Sequence, residues 1–179
     1  MIYEPAEDSF LLEKEVLKFA KRKRVLDMGS GSGIQSLAAK KAGAKSVFAI
    51  DTNIDAIKRC KSLGIKSVKS NLFQKVKGNF DLIIFNPPYL PEDILEDSES
   101  KKVTTGGKKG DEIILKFLPQ AKKHLAREGT ILLLLSSLTP KKKIIARLKK
   151  LNLSKKIISS QKVFFEMLEV WKIREPKNS

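Results

Sequence analysis

Arg24-Val25-Leu26-Asp27-Met28-Gly29-Ser30-Gly31-Ser32-Gly33 is the stretch that decides the fold. Its first half is a short apolar run of strand type. Its second half places glycine at every other position, and residues 34–41 then follow a helical pattern that Gly43 stops. A strand feeding a helix through a glycine loop is the opening of a βα unit, and the glycines let backbone approach a ligand closely. Dinucleotide-binding domains use a related loop. The spacing here differs, because Gly29-x-Gly31-x-Gly33 lacks the two-residue gap before the third glycine. An acidic residue, Asp27, also sits at the end of the strand itself.

Working outward, residues 7–20 carry apolar side chains at helical spacing. Residues 46–50 form a second strand ending at Asp51, and Asn53 is placed to cap a helix running to about Cys60. Further strands are predicted at 65–70, 80–85 and 130–136. Helices are predicted at 111–127, with a kink at Pro119, and at 141–150. Residues 157–160 and 163–173 read as two strands with no helix between them, so they should pair antiparallel. Strands alternating with helices, closed by a hairpin, predict an α/β fold: a mostly parallel seven-stranded sheet with helices on both faces. Residues 90–110 show no periodicity, and a loop of that length in a compact domain is usually functional or mobile.

At 179 residues the chain fits one domain, spanning 1–179. No apolar run reaches the 18 residues that suggest a membrane span. The N-terminal residues do not have the pattern of a signal peptide. One cysteine, Cys60, excludes a disulfide framework, and one histidine, His124, argues against a His-cluster metal site or a Ser-His-Asp triad. A cytoplasmic protein without a metal of its own is expected. The net charge of +16 is uneven: residues 1–100 hold 16 Lys/Arg against 14 Asp/Glu, and residues 101–179 hold 20 against 6. The basic half is either a face for RNA, ribosomes or an acidic partner, or a solvated lysine-rich surface.

Asn86-Pro87-Pro88-Tyr89 follows the apolar run at 80–85. Neither proline has a backbone N–H, so the strand must end at Asn86 in a rigid turn. The C-terminal end of a strand in an open α/β sheet is where ligands bind. Asn86 offers a donor pair and an acceptor, and Tyr89 offers an aromatic face. The four residues read either as a clamp for a flat, amide-like nitrogen or as a stiff turn. Asp51 reads either as an acceptor for both hydroxyls of a ribose or as a charge at a helix N-terminus. Cys60 is expected to be structural, and His124 an ordinary residue on a helix surface.

Taken together, these motifs resemble those of the class I S-adenosylmethionine-dependent methyltransferases with a Rossmann-like fold. The Asn-Pro-Pro-Tyr subset methylates planar nitrogens of adenine, guanine or glutamine. Tyr3-Glu4-Pro5-Ala6-Glu7-Asp8-Ser9-Phe10-Leu11 is similar to the opening of the HemK-like glutamine methyltransferases, in their short eukaryotic and archaeal branch. Gly106-Gly107-x-x-Gly110-Asp111 and Phe164-Phe165-Glu166-Met167-Leu168-Glu169-Val170 fit that branch as well. The resemblance spans essentially the whole chain and implies modification of the glutamine in the Gly-Gly-Gln motif of class 1 translation release factors.

Residue roles carry over by position. Asp27, Met28, Gly29 and Gly31 would border the methionine part of S-adenosyl-L-methionine, and Asp51 would hold its ribose. Asn71 and Leu72 stand where an acidic residue usually contacts the adenine, and Ser9 stands where a threonine is usual. Asn86 and the Pro87 carbonyl would accept hydrogen bonds from the substrate amide, with Pro88 stiffening the turn and Tyr89 packing on the glutamine. The resemblance also implies a small zinc-binding activator subunit, pairing with the exposed edge strand at 65–70. Rival readings are an adenine-N6 or guanine-N2 methyltransferase of DNA or RNA, a protein lysine methyltransferase, and a noncatalytic RNA-binding scaffold.

Overall fold

The computed structural model describes residues 4–88 and 110–176. In chain order its elements are α1 (Glu7–Phe19), β1 (Arg24–Met28), α2 (Ile34–Lys41), β2 (Ser46–Asp51), α3 (Ile54–Ser62), β3 (Lys66–Lys69), β4 (Phe80–Phe85), α4 (Glu112–Lys123), β5 (Leu125–Ser136), α5 (Lys141–Lys150), β6 (Ser154–Val163) and β7 (Glu166–Arg174). The strands form one sheet in the order β3-β2-β1-β4-β5-β7-β6. The pairs from β3 to β5 are parallel. β7 runs antiparallel between β5 and β6. The expected Rossmann-like sheet with its terminal hairpin is therefore present.

Apolar runs rather than alternating patterns build the central strands because both sheet faces are covered. Leu82, Ile84, Leu132 and Leu134 face α1 and α2, packing with Leu11, Leu12, Val16, Ala38 and Ala39. Ile83, Phe85, Ile131, Leu133 and Leu135 face the other way, toward Ile114, Phe117 and Leu118 of α4 and Ile144 and Leu148 of α5. Each such side chain is fully or nearly fully buried, and each valine, leucine, isoleucine or phenylalanine among them contributes roughly 1.5–3 kcal/mol. Asn53 caps α3 as expected, its Oδ1 accepting from the Asp55 N–H at 2.9 Å.

Several boundaries differ from the sequence expectation. α4 stops at Lys123 instead of reaching 127, because Leu125 pairs with Phe80 and the Phe80 N–H donates to the His124 carbonyl at 2.8 Å. Sheet pairing wins over the helical spacing. β5 therefore begins at Leu125, with an irregularity before Thr130 where Glu128 takes φ +61. Pro119 lies inside α4, which continues through it. β6 is longer than the predicted 157–160, β7 starts at Glu166 instead of 163, and the two divide at Phe164-Phe165, a turn in which Phe164 has φ +48. Strand propensity hides that turn, since phenylalanine is a strand former. The edge strand at 65–70 is Lys66–Lys69. The 90–110 loop lies outside the described residues except for Gly110.

The strand order reverses between β1 and β4, and ligands of open α/β sheets bind at such a switch point. Met28 and Phe85 are register partners there, so the glycine loop and Asn86 emerge side by side.

Candidate active site

The site is built where β1, β2 and β4 end together. The chain leaves β1 at Gly29 (φ +68), and the N–H groups of Gly29 and Ser30 both donate to the Ile50 carbonyl, at 2.8 and 3.0 Å. Gly31 (φ +49) donates its N–H to Asp51 Oδ2 at 2.9 Å. Left-handed conformations of this kind favour glycine. A Cβ at Gly29 would also sit 3.5 Å from the Phe85 ring, so the loop lies close over the end of β4. Met28 is buried beneath the loop.

Two carboxylates underlie it. Asp27 is 2% exposed, and its Oδ2 accepts from Ser36 Oγ at 2.6 Å. Burial pushes the Asp27 carboxyl up to about 6; the Ser36 hydrogen bond opposes this and the Asp51 charge reinforces it. Asp51 is half-buried and uses both oxygens, Oδ2 toward Gly31 and Oδ1 toward the Asn53 N–H at 2.8 Å. Its first task is to hold the loop, and each oxygen keeps a further lone pair for a ligand. The Ser70 N–H donates to the Asp51 carbonyl at 2.9 Å, which brings the start of the next turn beside it. In that turn Asn71 is exposed, while Leu72 (φ +46) is buried in the core.

Asn86 is held from an unexpected quarter. Its Nδ2 donates to Asp8 Oδ2 at 2.9 Å, across 78 residues, and Asp8 is buried in the first turn of α1. The other Asp8 oxygen accepts from the Ser9 N–H at 2.6 Å and from Ser9 Oγ at 3.3 Å. The Ser9 hydroxyl is therefore turned toward Asp8. Its carbonyl accepts from Gln35 Nε2 at 2.9 Å, tying α1 to α2. Asn86 Oδ1 is buried with no hydrogen-bond partner. An orphaned buried acceptor is costly, and in a native structure it points to a missing partner. Pro87 is buried and Pro88 half-buried behind it. Tyr89 lies outside the described residues.

Residues 8–164 match the Methyltransferase small domain family. The chain belongs to that family. Among relatives, it is 42% identical to a Methanocaldococcus jannaschii protein provisionally named a protein N5-glutamine methyltransferase, the match covering 94% of this chain and 89% of that one. It is 31% identical to the methyltransferase HEMK2 of Mus musculus, over 72% of this chain and 68% of the relative. Among solved structures it resembles the Mtq2–Trm112 complex of E. cuniculi, described as responsible for methylating the translation termination factor eRF1. That match has a TM-score of 0.79 and 26% identity, and covers 98% of this chain and 99% of the other.

Three site residues of this methyltransferase escaped the sequence reading: Asp8, Gln35 and Ser36. Asp8 stood inside a quoted motif but had no assigned task, because nothing in sequence spacing brings α1 to the end of β4. His124 was expected on a helix surface. It instead follows the last residue of α4 at the opposite end of the sheet, half-buried, stacked on Phe73 at 4.9 Å with Nδ1 2.8 Å from the Gly78 carbonyl. Cys60 is buried with Sγ 3.4 Å from Ser30 Oγ, and burial raises its thiol, so it is no nucleophile at neutral pH. Among the described residues no cluster of His, Cys, Asp and Glu is suited to a metal ion, and no helix is long and apolar enough to cross a membrane.

Proposed function

We propose that this methyltransferase uses S-adenosyl-L-methionine to methylate the side-chain amide nitrogen, N5, of the glutamine in the Gly-Gly-Gln motif of a class 1 translation release factor. The observation that carries this is Asn86 Oδ1, a buried acceptor without a partner at the switch point of the sheet. A primary amide brings the two N–H donors that such an acceptor and a neighbouring Pro87 carbonyl would take. The names of the relatives support the same substrate class.

The residues fit the cofactor. Gly29 and Gly31 leave a close backbone approach, Asp51 keeps lone pairs for a ribose, and Asn71 and Leu72 flank it through Ser70. Asp27 places negative charge beneath, which favours a cationic ligand. When bound, S-adenosyl-L-methionine supplies a methyl group on a positively charged sulfur. The protein's own work is positioning and electrostatics. An amide nitrogen is a weak nucleophile because its lone pair is delocalised. Acceptors on its hydrogens push density back toward nitrogen and fix its direction. Asp8, bonded to the Asn86 Nδ2, holds the amide so that Oδ1 faces the substrate and makes that oxygen a better acceptor. Tyr89 completes the clamp in this reading.

We also propose residues 1–179 as one domain, a cytoplasmic location, and a heterodimer with a small zinc-binding activator. The open edge offered by β3 supports that partner, since an unpaired strand edge accepts another strand. Basic α5 and β6 lie toward the other end of the sheet, so any RNA contact there would leave the β3 edge accessible.

The test is methyl transfer from labelled cofactor to a release factor, to its Gly-Gly-Ala variant, and to RNA and DNA, with and without a candidate activator. Label on the factor that vanishes in the variant supports the proposal. Label on nucleic acid alone overturns it. For the cofactor site, Asp51→Ala should lower cofactor affinity at least tenfold, measured as a smaller thermal shift at fixed ligand. An unchanged shift removes the ribose assignment.

A further inference from the structure

Phe164 and Phe165 form the turn between β6 and β7, and they are 85% and 101% exposed. Two adjacent, fully bare phenylalanines are unusual at a hairpin tip, where Gly, Asn or Asp would be the low-cost choice. The cost is not only exposure: Phe164 holds φ +48, a region bulky side chains avoid. The base of the tip is firmly tied. Ser136 Oγ donates to the Glu166 carboxylate, the Ser137 N–H donates to the Met167 carbonyl at 2.8 Å, and the Met167 N–H donates to Ser137 Oγ at 3.0 Å. Leu138 and Met167, beside these bonds, are exposed as well and extend the apolar patch.

Topology places this tip on the same rim as Asn86. Phe85 pairs with Leu133, and β5 continues three residues beyond it to Ser136, which pairs with Leu168 at the start of β7. That extension puts Leu168 ~10 Å past the end of β4, the tip lies three to four residues further, another ~10 Å, and β7 stands two strands (~10 Å) to the side. The tip is thus an apolar wall on the acceptor's rim, ~20 Å from it by strand register. On the same rim α5 begins with Lys141, Lys142 and Lys143, of which Lys142 and Lys143 are exposed and Lys141 is paired with Glu169 at 2.9 Å.

We propose that the Phe164-Phe165 tip, with Met167 and Leu138 at its base, is the docking surface for the substrate protein, and that it receives an apolar patch bordered by acidic residues near the acceptor glutamine. This rests on the glutamine reading above. Continuity with the acceptor site and the adjoining lysines select a protein with that surface. Exposed rings beside lysines also stack on bases, so RNA affinity is one arm of the test. An apolar tip of this kind recognises the folded substrate, whereas Asn86 recognises only the amide.

The experiment compares the wild-type enzyme with Phe164→Ser/Phe165→Ser, in the same activator-containing preparation, on an intact release factor and on a short Gly-Gly-Gln peptide. Burying two such rings is worth roughly tenfold or more in affinity. The expected result is a KM for the intact factor raised at least tenfold, with kcat, cofactor affinity, melting temperature and peptide kinetics within twofold of wild type. Lys142→Glu/Lys143→Glu should raise the same KM in a salt-dependent way. An unchanged KM for the factor overturns the docking proposal alone. So does an equal loss on the peptide, a loss confined to RNA affinity, or a wild-type dimer that the double variant abolishes. A wild-type enzyme that labels neither factor nor peptide overturns the glutamine reading, and the docking proposal falls with it.

Discussion

The two ends of the central sheet are built on opposite terms. At the N-terminal ends of β1 and β4, Arg24 grips Asp81 with a fork of hydrogen bonds at 2.9 and 3.1 Å, and the Arg24 N–H adds a third at 2.9 Å. Asn79 donates to the Leu125 carbonyl, and His124 bonds the Gly78 carbonyl. At the C-terminal ends, Gln35 Oε1, Asn86 Oδ1 and Asp111 Oδ2 are buried without partners, and they are the only such side-chain atoms among the described residues. The same end carries the left-handed loop glycines Gly29, Gly31 and Gly33 and the buried carboxylates Asp8 and Asp27. Natural proteins satisfy their buried polar groups except where function needs them open. One end closes the fold, and the other keeps unmet bonding capacity for ligands.

Asn86→Ala should break that contrast most severely. Loss of one preorganised electrostatic contact costs on the order of 100-fold or more in rate. Methyl transfer should fall by that factor while cofactor affinity stays near normal, as read by single-turnover kinetics and a binding titration. Intact transfer would remove the clamp. Asp8→Ala comes next. Freed from its anchor, the Asn86 amide loses its fixed direction, and misplacement of a positioned group costs roughly 10- to 100-fold. Asp8→Asn keeps an acceptor for Nδ2 and should recover part of the rate. Equal rates for the two variants would show that Asp8 only fills space.

Asp27→Asn sharpens the contrast through stability. The Asp27 carboxyl is raised to about 6 mainly by burial, so its folded value lies above its unfolded one. Its favourable share of stability is present below the unfolded value, near 4, and is lost as pH rises through about 6. The Asn variant should therefore be more stable than wild type at pH 8, by on the order of 1–3 kcal/mol of unfolding free energy, and show little gain at pH 4. Its cofactor affinity should be weaker at pH 8 and lack the wild type's strengthening between pH 5 and 7. A variant that is both less stable and pH-dependent would mean that the buried charge serves the fold.

Most of this architecture was legible in the sequence because each element carries its own local pattern. The glycine loop announces a βα turn, Asp51 and Asn53 announce a strand end and a cap, and two prolines announce the end of β4. Asp51 and Asn86 were picked out because their places at strand ends follow from the topology. What stayed hidden depends on contacts between distant segments. The Asp8–Asn86 bond exists only once α1 has packed across the sheet. The end of α4 at Lys123 is set by Phe80, more than 40 residues earlier. The Phe164-Phe165 turn contradicts its own strand propensity, and no local rule predicts it.

The smallest effect belongs to the closed end. The Arg24 hydrogen bond is the main cause that holds the Asp81 carboxyl below the usual carboxylate range. Its folded value lies below its unfolded one, so the pair's contribution is present above the unfolded value, near 3.9, and is lost as pH falls through the folded value. The pair is solvent-exposed, and such pairs contribute little. Asp81→Asn should lower the melting temperature slightly at pH 7, and the difference from wild type should shrink toward pH 3. Methyl transfer and cofactor affinity should not change. If transfer instead fell as far as in Asn86→Ala, register at the start of β4 would be controlling geometry at its end, and the two ends would act as one unit. A rigid, doubly covered sheet argues against that, because burial on both faces of β4 fixes its register before the Arg24–Asp81 pair contributes.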